Sequence, residues 1–204
     1  MDTTDNWIVL LVSGSSGTRK STLARVITSR CNTELGRVDD YRMALQSATK
    51  PEYYPELHFF ISSPGVAKPG IWKKEPEALC DALIRVGRFV SSTLEVVISH
   101  HMHTGSRIVL EGDWIIPEIV SRIKPKYNKR LRSVFLYEPD KELFFNIDTL
   151  EEETNKHNPD KTTIRTMHWL YNRWLVKEAE ERGLPIVQSR PWETLYNRTI
   201  SAIE

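Results

Sequence analysis

The segment Gly14–Thr22 constrains this chain more than any other. Its residues are Gly14, Ser15, Ser16, Gly17, Thr18, Arg19, Lys20, Ser21 and Thr22. An apolar run at residues 7–12 precedes it, and a segment with apolar residues at helical spacing follows it. A buried strand, a turn of small residues and a helix are the context in which this pattern forms a phosphate-binding loop. The main-chain N–H groups of such a loop and the N-terminus of its helix both attract phosphate. The sequence therefore predicts a nucleotide site here.

Three side chains of this phosphate loop have distinct expected roles. Lys20 can reach the β- and γ-phosphates of a nucleotide, and the hydroxyl of Ser21 can ligate Mg²⁺. Arg19 departs from the pattern G-x-x-x-x-G-K-[ST], which has glycine immediately before the lysine. Glycine is favoured there because the backbone approaches phosphate and adopts strained dihedral angles. Since Arg19 keeps its N–H, we expect phosphate binding to be retained, whereas the effect on turnover stays open.

Composition favours an ordinary globular protein. The chain has 204 residues, 40% apolar content, 27% charged content and a net charge of +1, which predicts a single domain over residues 1–204. This balance gives no overall preference for nucleic acid or membrane. The two cysteines lack metal-binding spacing, and the apolar run near the acidic N-terminus is too short to span a bilayer. We expect a cytoplasmic protein, monomeric or homodimeric, whose partners are a nucleoside triphosphate and a small molecule.

The order of strand-like and helix-like segments predicts an α/β fold. Apolar runs alternate with segments of helical spacing, which is typical of a parallel sheet with helices on both faces. Strands are expected at about 7–12, 107–111, 131–137 and 185–187, and a further short strand is expected to end at about residue 39. Helices are expected at about 20–31, 41–47 and 76–103. A further helix is expected to begin at 115 or 117, another to end at about 182, and the last to begin at 191.

Two further segments are expected to cover the site. Residues 48–75 are rich in proline and glycine and predict an irregular region that covers the acceptor of a transferred group. The polar segment 138–165 predicts a lid, in which Lys156, Lys161 and Arg165 would close over the phosphates. The same segment also contains three consecutive glutamates at 151–153, so a solvated helix face remains an equal alternative.

Ligands of open parallel sheets bind outside the carboxyl ends of the strands. Three groups of residues are expected to meet there: the phosphate loop, the cluster Asp39-Asp40-x-Arg42, and Glu111-Gly112-Asp113. This convergence is the strongest functional inference that the sequence permits.

Within the first cluster, Asp39 or Asp40 could accept the proton of an acceptor hydroxyl or hold a water of the Mg²⁺ shell. We marginally favour Asp40 as the base. Arg42 suits bidentate binding of an anionic acceptor. The alternative for the two aspartates is that they simply cap the helical turn that follows them.

Glu111 ends an apolar strand, as the acidic residue of a Walker B segment does, so a role in coordinating Mg²⁺ through water is expected. Gly112 would allow a close approach of backbone or substrate. Asp113 could take the metal-shell role instead, or cap the next helix. A purely structural carboxylate at Glu111 is the remaining alternative.

With these residues assembled, the chain resembles the 2-phosphoglycerate kinase family of P-loop kinases. The resemblance is distant, covers most of the chain and rests on the following matches: the phosphate loop, Asp40-Tyr41-Arg42 with Met43 and Leu45, Ile108-Val109-Leu110-Glu111-Gly112 with Ile116-Pro117, and Ala179 ahead of Gly183-Leu184-Pro185-Ile186-Val187. It implies the P-loop NTPase fold of the nucleoside-monophosphate-kinase type, with a five-stranded parallel sheet, helices on both faces and a lid. It also implies transfer of the γ-phosphoryl group of ATP, with Mg²⁺, to a hydroxyl of a small anionic acceptor. Carried over to this chain, Lys20 and Ser21 serve the nucleotide and metal, Asp40 and Arg42 the acceptor, and Glu111 the metal.

Two other functions are compatible with the sequence. The first is a nucleoside or nucleotide kinase, which a base-sized pocket lined by Phe59, Phe60 or Trp72 would favour. The second is a nucleotide-binding sensor with little turnover, because Arg19 interrupts the loop pattern. A GTPase is not favoured, since the sequence lacks an Asn-Lys-x-Asp segment for reading the base.

Overall fold

A parallel sheet organises the chain. The computed structural model describes residues 7–63, 66–146 and 161–204. The strands in chain order are β1 (Val9–Gly14), β2 (Glu34–Arg37), β3 (Ile61–Ser63), β4 (Val66–Ala67), β5 (Ile108–Glu111), β6 (Leu131–Tyr137) and β7 (Ile186–Gln188). The helices are α1 (Lys20–Cys31), α2 (Val38–Ala48), α3 (Pro76–Thr104), α4 (Pro117–Tyr127), α5 (Lys141–Phe145), α6 (Lys161–Glu181) and α7 (Leu195–Ile203).

Five strands form this sheet in the order β2-β5-β1-β6-β7, and all their pairings are parallel. The phosphate loop follows the central strand β1, and β2 and β5 lie on one side of it while β6 and β7 lie on the other. Consecutive strands β1 and β2 are not neighbours, because β5 lies between them. Such a reversal of strand order opens a crevice at the carboxyl edge of a sheet, and the phosphate loop lies at this edge.

Strand β1 is buried along its whole length because helices cover both faces of the sheet. Successive side chains of a strand point to opposite faces. Val9 and Leu11 accordingly join the apolar cluster formed with α3, α4 and α6, whereas Leu10 and Val12 join the cluster formed with α1 and α7. The predicted α/β architecture, five parallel strands with helices on both faces, is confirmed.

Several predicted element boundaries agree with the structure, and one differs in a way that matters. The strand 131–137 and the helix 20–31 have the predicted bounds, and the long helix ends at Thr104. The prediction that a strand continues to about Asp39 is wrong. Strand β2 ends at Arg37, and α2 begins at Val38, whose side chain is fully buried. Asp39 and Asp40 therefore lie in the first turn of a helix, where carboxylates are stabilised by the helix dipole.

The two expected covering segments are described to different extents. Residues 48–75 contain the short antiparallel pair β3–β4 and a 3₁₀ turn at Ile71–Lys73. The lid predicted at 138–165 lies partly outside the described residues, since 147–160, with Lys156, are not described. Across the described ranges, none of the helices is long and apolar enough to cross a membrane.

Candidate active site at the phosphate loop

The phosphate loop is a tight turn held by its own side chains. Thr18 Oγ1 donates to the carbonyl oxygen of Ser15 at 2.8 Å, and Ser15 and Thr18 are fully buried. Gly17 has a φ of 88°, in the region that favours glycine. At Gly14, a Cβ atom would lie 2.5 Å from Thr18 Oγ1 and 2.8 Å from the carbonyl oxygen of Leu136, so only glycine fits. The loop then enters α1 at Lys20, as a phosphate-binding loop requires.

Arg19 adopts the backbone conformation that the pattern normally assigns to glycine. Its φ and ψ are 60° and 24°, in the left-handed region. The side chain turns towards Trp192, where the guanidinium carbon lies 3.4 Å from the centre of the ring. Arg190 also lies over Trp192, at 4.3 Å, and its Nε donates to the fully buried Glu138 at 2.9 Å. This stacking offsets part of the backbone strain, which explains how a residue other than glycine holds this position.

Paired substitutions at Arg19 separate strain from stacking. Arg19→Gly removes a left-handed strain of roughly 1 kcal/mol and loses a cation–π contact of similar size, so its unfolding free energy should change little. Arg19→Ala keeps the strain and loses the contact, so it should be less stable than Arg19→Gly by about 1 kcal/mol. Urea unfolding of both variants measures this difference. Equal stabilities would show that position 19 does not need a left-handed backbone.

Lys20 is buried against a carboxylate that faces the loop. The side chains of Lys20 and Asp113 form an ion pair and are only 12% and 14% exposed. Burial by itself lowers the pKa of Lys20, but the charge and hydrogen bond of Asp113, together with Glu111 and Asp39, more than compensate, so the pKa is raised. Lys20 is therefore charged, and Asp113 is the group with which a phosphate would compete for it.

Ser21 and Glu111 form the second pair at the loop. Ser21 Oγ donates to Glu111 Oε2 at 3.0 Å, and Glu111 is only 5% exposed. The parallel register pairs Glu111 with Val12, which brings the end of β5 beside the phosphate loop. Burial raises the pKa of Glu111, while Lys20 and the hydrogen bond from Ser21 oppose the shift. The neighbouring Thr22 is exposed, so Ser21 is the hydroxyl that faces this carboxylate.

Asp39, rather than Asp40, belongs to the cluster beside these pairs. Asp39 Oδ1 accepts a hydrogen bond from Trp114 Nε1 at 2.9 Å and from Arg42 at 3.3 Å. Arg42 also donates to Gln46 Oε1 at 2.9 Å, which fixes the guanidinium from its other side. Asp40 is exposed to solvent. The structure thus brings Asp39 and Arg42 together, and it leaves Asp40 outside this network of contacts.

Gly112 allows α2 to approach the end of β5. A Cβ atom at Gly112 would lie 2.9 Å from Cβ of Val38, the first residue of α2. The predicted close approach at this glycine is therefore made by the first residue of α2, mainly through the Val38 side chain. It brings the first turn of α2, with Asp39, next to Glu111.

Helix α6 contributes residues that sequence reasoning did not assign to the site. Ser15 Oγ donates to the carbonyl oxygen of His168 at 2.8 Å, and the phenol of Tyr171 donates to the carbonyl oxygen of Asp113. Burial and the charge of Lys20 lower the pKa of His168, although Asp113 opposes the shift, so its ring is neutral at neutral pH. Met167, Tyr171 and Leu175 recur at helical spacing and are buried in the core. That spacing carries no signal for a contact with the loop.

The remaining predicted residues lie on α6 and in the region 48–75. Lys161 and Arg165 occupy the first turns of α6 and are half-buried. Phe60 stacks on Trp72 at 5.9 Å and meets Phe59 edge-on at 5.0 Å, and all three rings pack against the core. These aromatic residues therefore pack on one another in the described structure, where the nucleoside alternative would place them around a base.

Comparisons with known proteins extend over most of the chain but remain distant. No protein-family model matches the chain, and no curated protein matches its sequence. Among solved structures, it is similar to a shikimate kinase from Aquifex aeolicus vf5, with 17% identity and a TM-score of 0.48, covering 95% of each chain. It is also similar to a gluconokinase from Sinorhizobium meliloti 1021, with 13% identity and a TM-score of 0.46, covering 96% of this chain and 90% of that one. A dephospho-CoA kinase from Campylobacter jejuni has 9% identity and a TM-score of 0.45, covering 96% and 94%. The strand order and loop geometry of the chain itself define its fold.

Proposed function

We propose that the chain is a small-molecule kinase that transfers the γ-phosphoryl group of ATP to a hydroxyl of a small anionic acceptor, with Mg²⁺. One observation carries the proposal: the Ser21–Glu111 hydrogen bond and the Lys20 side chain lie together at a strand–loop–helix turn that is shaped for phosphate. Phosphoryl transfer depends mainly on positioning and charge neutralisation, and these are the functions that such residues supply. The resemblance to 2-phosphoglycerate kinases gives the same reaction class.

On the nucleotide side, the main-chain N–H groups of the phosphate loop would hold the phosphates, and Lys20 would exchange Asp113 for the β- and γ-phosphate oxygens. This exchange keeps the buried ammonium group paired in both states. Asp113 would then be free to hold a water of the metal shell. Lys161 and Arg165, on α6, are proposed to approach the phosphates when the site closes.

The residues at the loop fit a magnesium ion. A hydroxyl and a buried carboxylate 3.0 Å apart are oxygen donors of the kind that Mg²⁺ prefers. The described residues contain no group of three or more His, Cys, Asp or Glu side chains that could hold a metal, which suits an ion bound mainly by phosphate and water. When bound, Mg²⁺ neutralises the charge that develops on the phosphates. Ser21 and Glu111 would hold it, partly through water.

On the acceptor side, we assign the general base to Asp39. Its carboxylate is held by Trp114 and Arg42 and lies close enough to Lys20 and Glu111 to influence their pKa values. It would accept the proton of the attacking hydroxyl. Arg42 would bind an anionic group of the acceptor with the guanidinium nitrogens that face it. Gln46, which donates to the carbonyl oxygen of Leu57 at 2.8 Å, keeps Arg42 in place.

Neighbouring aspartates provide a matched test of this assignment. Asp39→Asn should lower kcat by about 100-fold, because the hydroxyl loses its proton acceptor. Asp40→Asn makes the same chemical change one residue away and should alter kcat by less than about twofold, because surface substitutions seldom matter. Steady-state kinetics with saturating ATP measures both. A larger loss of kcat in Asp40→Asn than in Asp39→Asn would instead identify Asp40 as the base.

The reaction itself is tested by ADP release. Purified protein with ATP and Mg²⁺ is screened against phosphorylated sugars, hydroxy acids and nucleosides, and calorimetry measures ATP binding separately. We expect at least one anionic hydroxy compound to stimulate ADP release. Stimulation only by nucleosides would favour a nucleoside kinase. ATP binding that no acceptor converts to turnover would favour the sensor function, and absence of ATP binding would contradict the proposal altogether.

A further inference from the structure

A basic region lies far from the phosphate loop in sequence and in space. Between Glu118 and Glu138 the chain has six Lys or Arg residues and no Asp or Glu. The whole chain has a net charge of only +1, so the remaining residues are net negative. This cluster of positive charges attracts anions and so raises their concentration nearby.

A cavity of about 400 Å³ opens within this region. Four cationic side chains line it, Lys124, Lys129, Arg132 and Arg182, and Pro125 and Leu184 supply apolar wall. Its volume is within the range of sites for small molecules, roughly 300–1,000 Å³. No carboxylate is among the residues that line it. Cations that converge on one concave space repel each other, and a bound anion relieves this repulsion.

In the described part of the chain, the basic residues outside the cavity have partners, whereas the lysines that line the cavity do not. Outside the cavity, Arg122 donates to Glu95 at 2.9 Å, Arg130 donates to the carbonyl oxygen of Met102 at 2.8 Å, and Lys126 lies over the ring of Tyr127. Within the ranges that the structure describes, the ammonium groups of Lys124 and Lys129 have neither a hydrogen bond nor an ion pair.

The two arginines of the cavity are only partly engaged. One nitrogen of Arg182 contacts the carboxylate of Glu178 at 2.6 Å, and one nitrogen of Arg132 donates to the main-chain oxygen of Glu204 at 3.1 Å. Each guanidinium has further N–H groups for a ligand. Among the described contacts, Glu178 is the one acidic side chain that pairs with any of these four cations.

The cavity lies at the edge of the sheet opposite to the phosphate loop. Arg132 pairs with Leu10 near the start of β1, whereas the loop begins at Gly14, at its carboxyl end. Four residues of strand separate the two levels, which is roughly 13 Å at the usual rise per residue. A ligand in this cavity would therefore not overlap with a nucleotide on the loop.

We propose that this cavity is a second binding site, for a small molecule that carries two or more phosphate groups. Its phosphates pair with Lys124 and Lys129 and with the outward N–H groups of the arginines, and its less polar part lies against Pro125 and Leu184. A concave site favours a small ligand over a nucleic acid, because the basic residues around it, such as Arg122 and Arg130, are turned to partners within the chain. The proposal does not depend on the kinase function.

Residue-resolved NMR with inorganic tripolyphosphate tests this site. Amide shifts of residues 124–132 and 182–184 report on the cavity, and those of the phosphate loop report separately on the nucleotide site. We expect saturable shifts at the cavity, weakened roughly tenfold by the double variant Lys124→Gln, Lys129→Gln, which removes two of the four cations. The control Lys126→Gln changes a lysine that is on the same helix as Lys124 but does not line the cavity, and it should weaken binding by less than about twofold.

Thermal unfolding of each variant is measured as a control, to test whether it is folded. No saturable shift at the cavity up to about 10 mM tripolyphosphate would overturn the proposal. Equal weakening by the control would also overturn it, because the attraction would then be diffuse. Tighter binding of a single-stranded RNA oligomer that depends equally on Lys126 would replace the proposed ligand with a nucleic acid.

Discussion

Lys20→Ala should reduce kcat/KM for ATP by at least about 1,000-fold, because the variant loses the cation that we propose contacts the transferred phosphoryl group. The same change should also destabilise the chain. Lys20 and Asp113 are only 12% and 14% exposed, so removing one partner leaves a buried charge without its counter-ion. Breaking such a pair costs about 3 kcal/mol. Kinetics and urea unfolding of the same preparation measure the two effects.

A double variant separates the two roles of the lysine. Lys20→Ala with Asp113→Ala removes both charges, so most of the lost stability should return. Activity should stay as low as in the single variant, because the phosphate contact is still absent. Lys177→Ala, at an exposed lysine on α6 that is 73% accessible, serves as the matched control and should change neither quantity. Recovery of activity in the double variant would show that Lys20 acts only by neutralising Asp113.

Glu111→Gln should have opposite effects on activity and stability. The amide oxygen still accepts the hydrogen bond from Ser21, but the negative charge that would hold the metal is lost. We expect kcat to fall by roughly 100- to 1,000-fold and the magnesium concentration required for half-maximal activity to rise. Titration of activity with MgCl₂ at fixed ATP measures both. Unchanged magnesium dependence would contradict the metal role of Glu111.

The stability of this variant should depend on pH in a defined direction. Burial raises the pKa of Glu111 above 4.5 in the folded chain, so the native state binds the proton more tightly than the unfolded state. At neutral pH the ionised, buried carboxylate opposes folding, so Glu111→Gln should be more stable than the parent. As pH falls through the raised pKa towards 4.5, the parent gains its proton and this difference should vanish. A variant that is less stable than the parent at neutral pH would contradict this account.

Local patterns in the sequence predicted the framework of the site well. The apolar runs and small-residue turn predicted the strand, loop and helix around Lys20, and their bounds agree closely with the structure. The apolar strand ending in Glu111 was also predicted, and parallel pairing then brought it to the loop. These features depend on residues adjacent in sequence, where hydrophobic period and turn chemistry act directly.

The identity of the facing partners could not be predicted in the same way. The sequence marginally favoured Asp40, but the start of α2 at Val38 turns Asp39 towards Trp114 and leaves Asp40 exposed. Which of two adjacent carboxylates faces a site depends on the rotation of a helix, and a shift of one residue turns a side chain by about 100°. The pairing of Lys20 with Asp113 similarly depends on how the segment after β5 packs.

The sequence by itself determined that this chain has a parallel α/β fold in which a turn of small residues, with the pattern of a phosphate-binding loop, follows a buried strand. Only the tertiary structure decided what surrounds the loop: Trp192 stacked on Arg19, Asp113 paired with Lys20, and α6 packed against Ser15. The physical reason is the range of the forces involved. Loop and strand follow from neighbouring residues, whereas these contacts join segments up to about 170 residues apart, whose meeting is set by how the whole core packs.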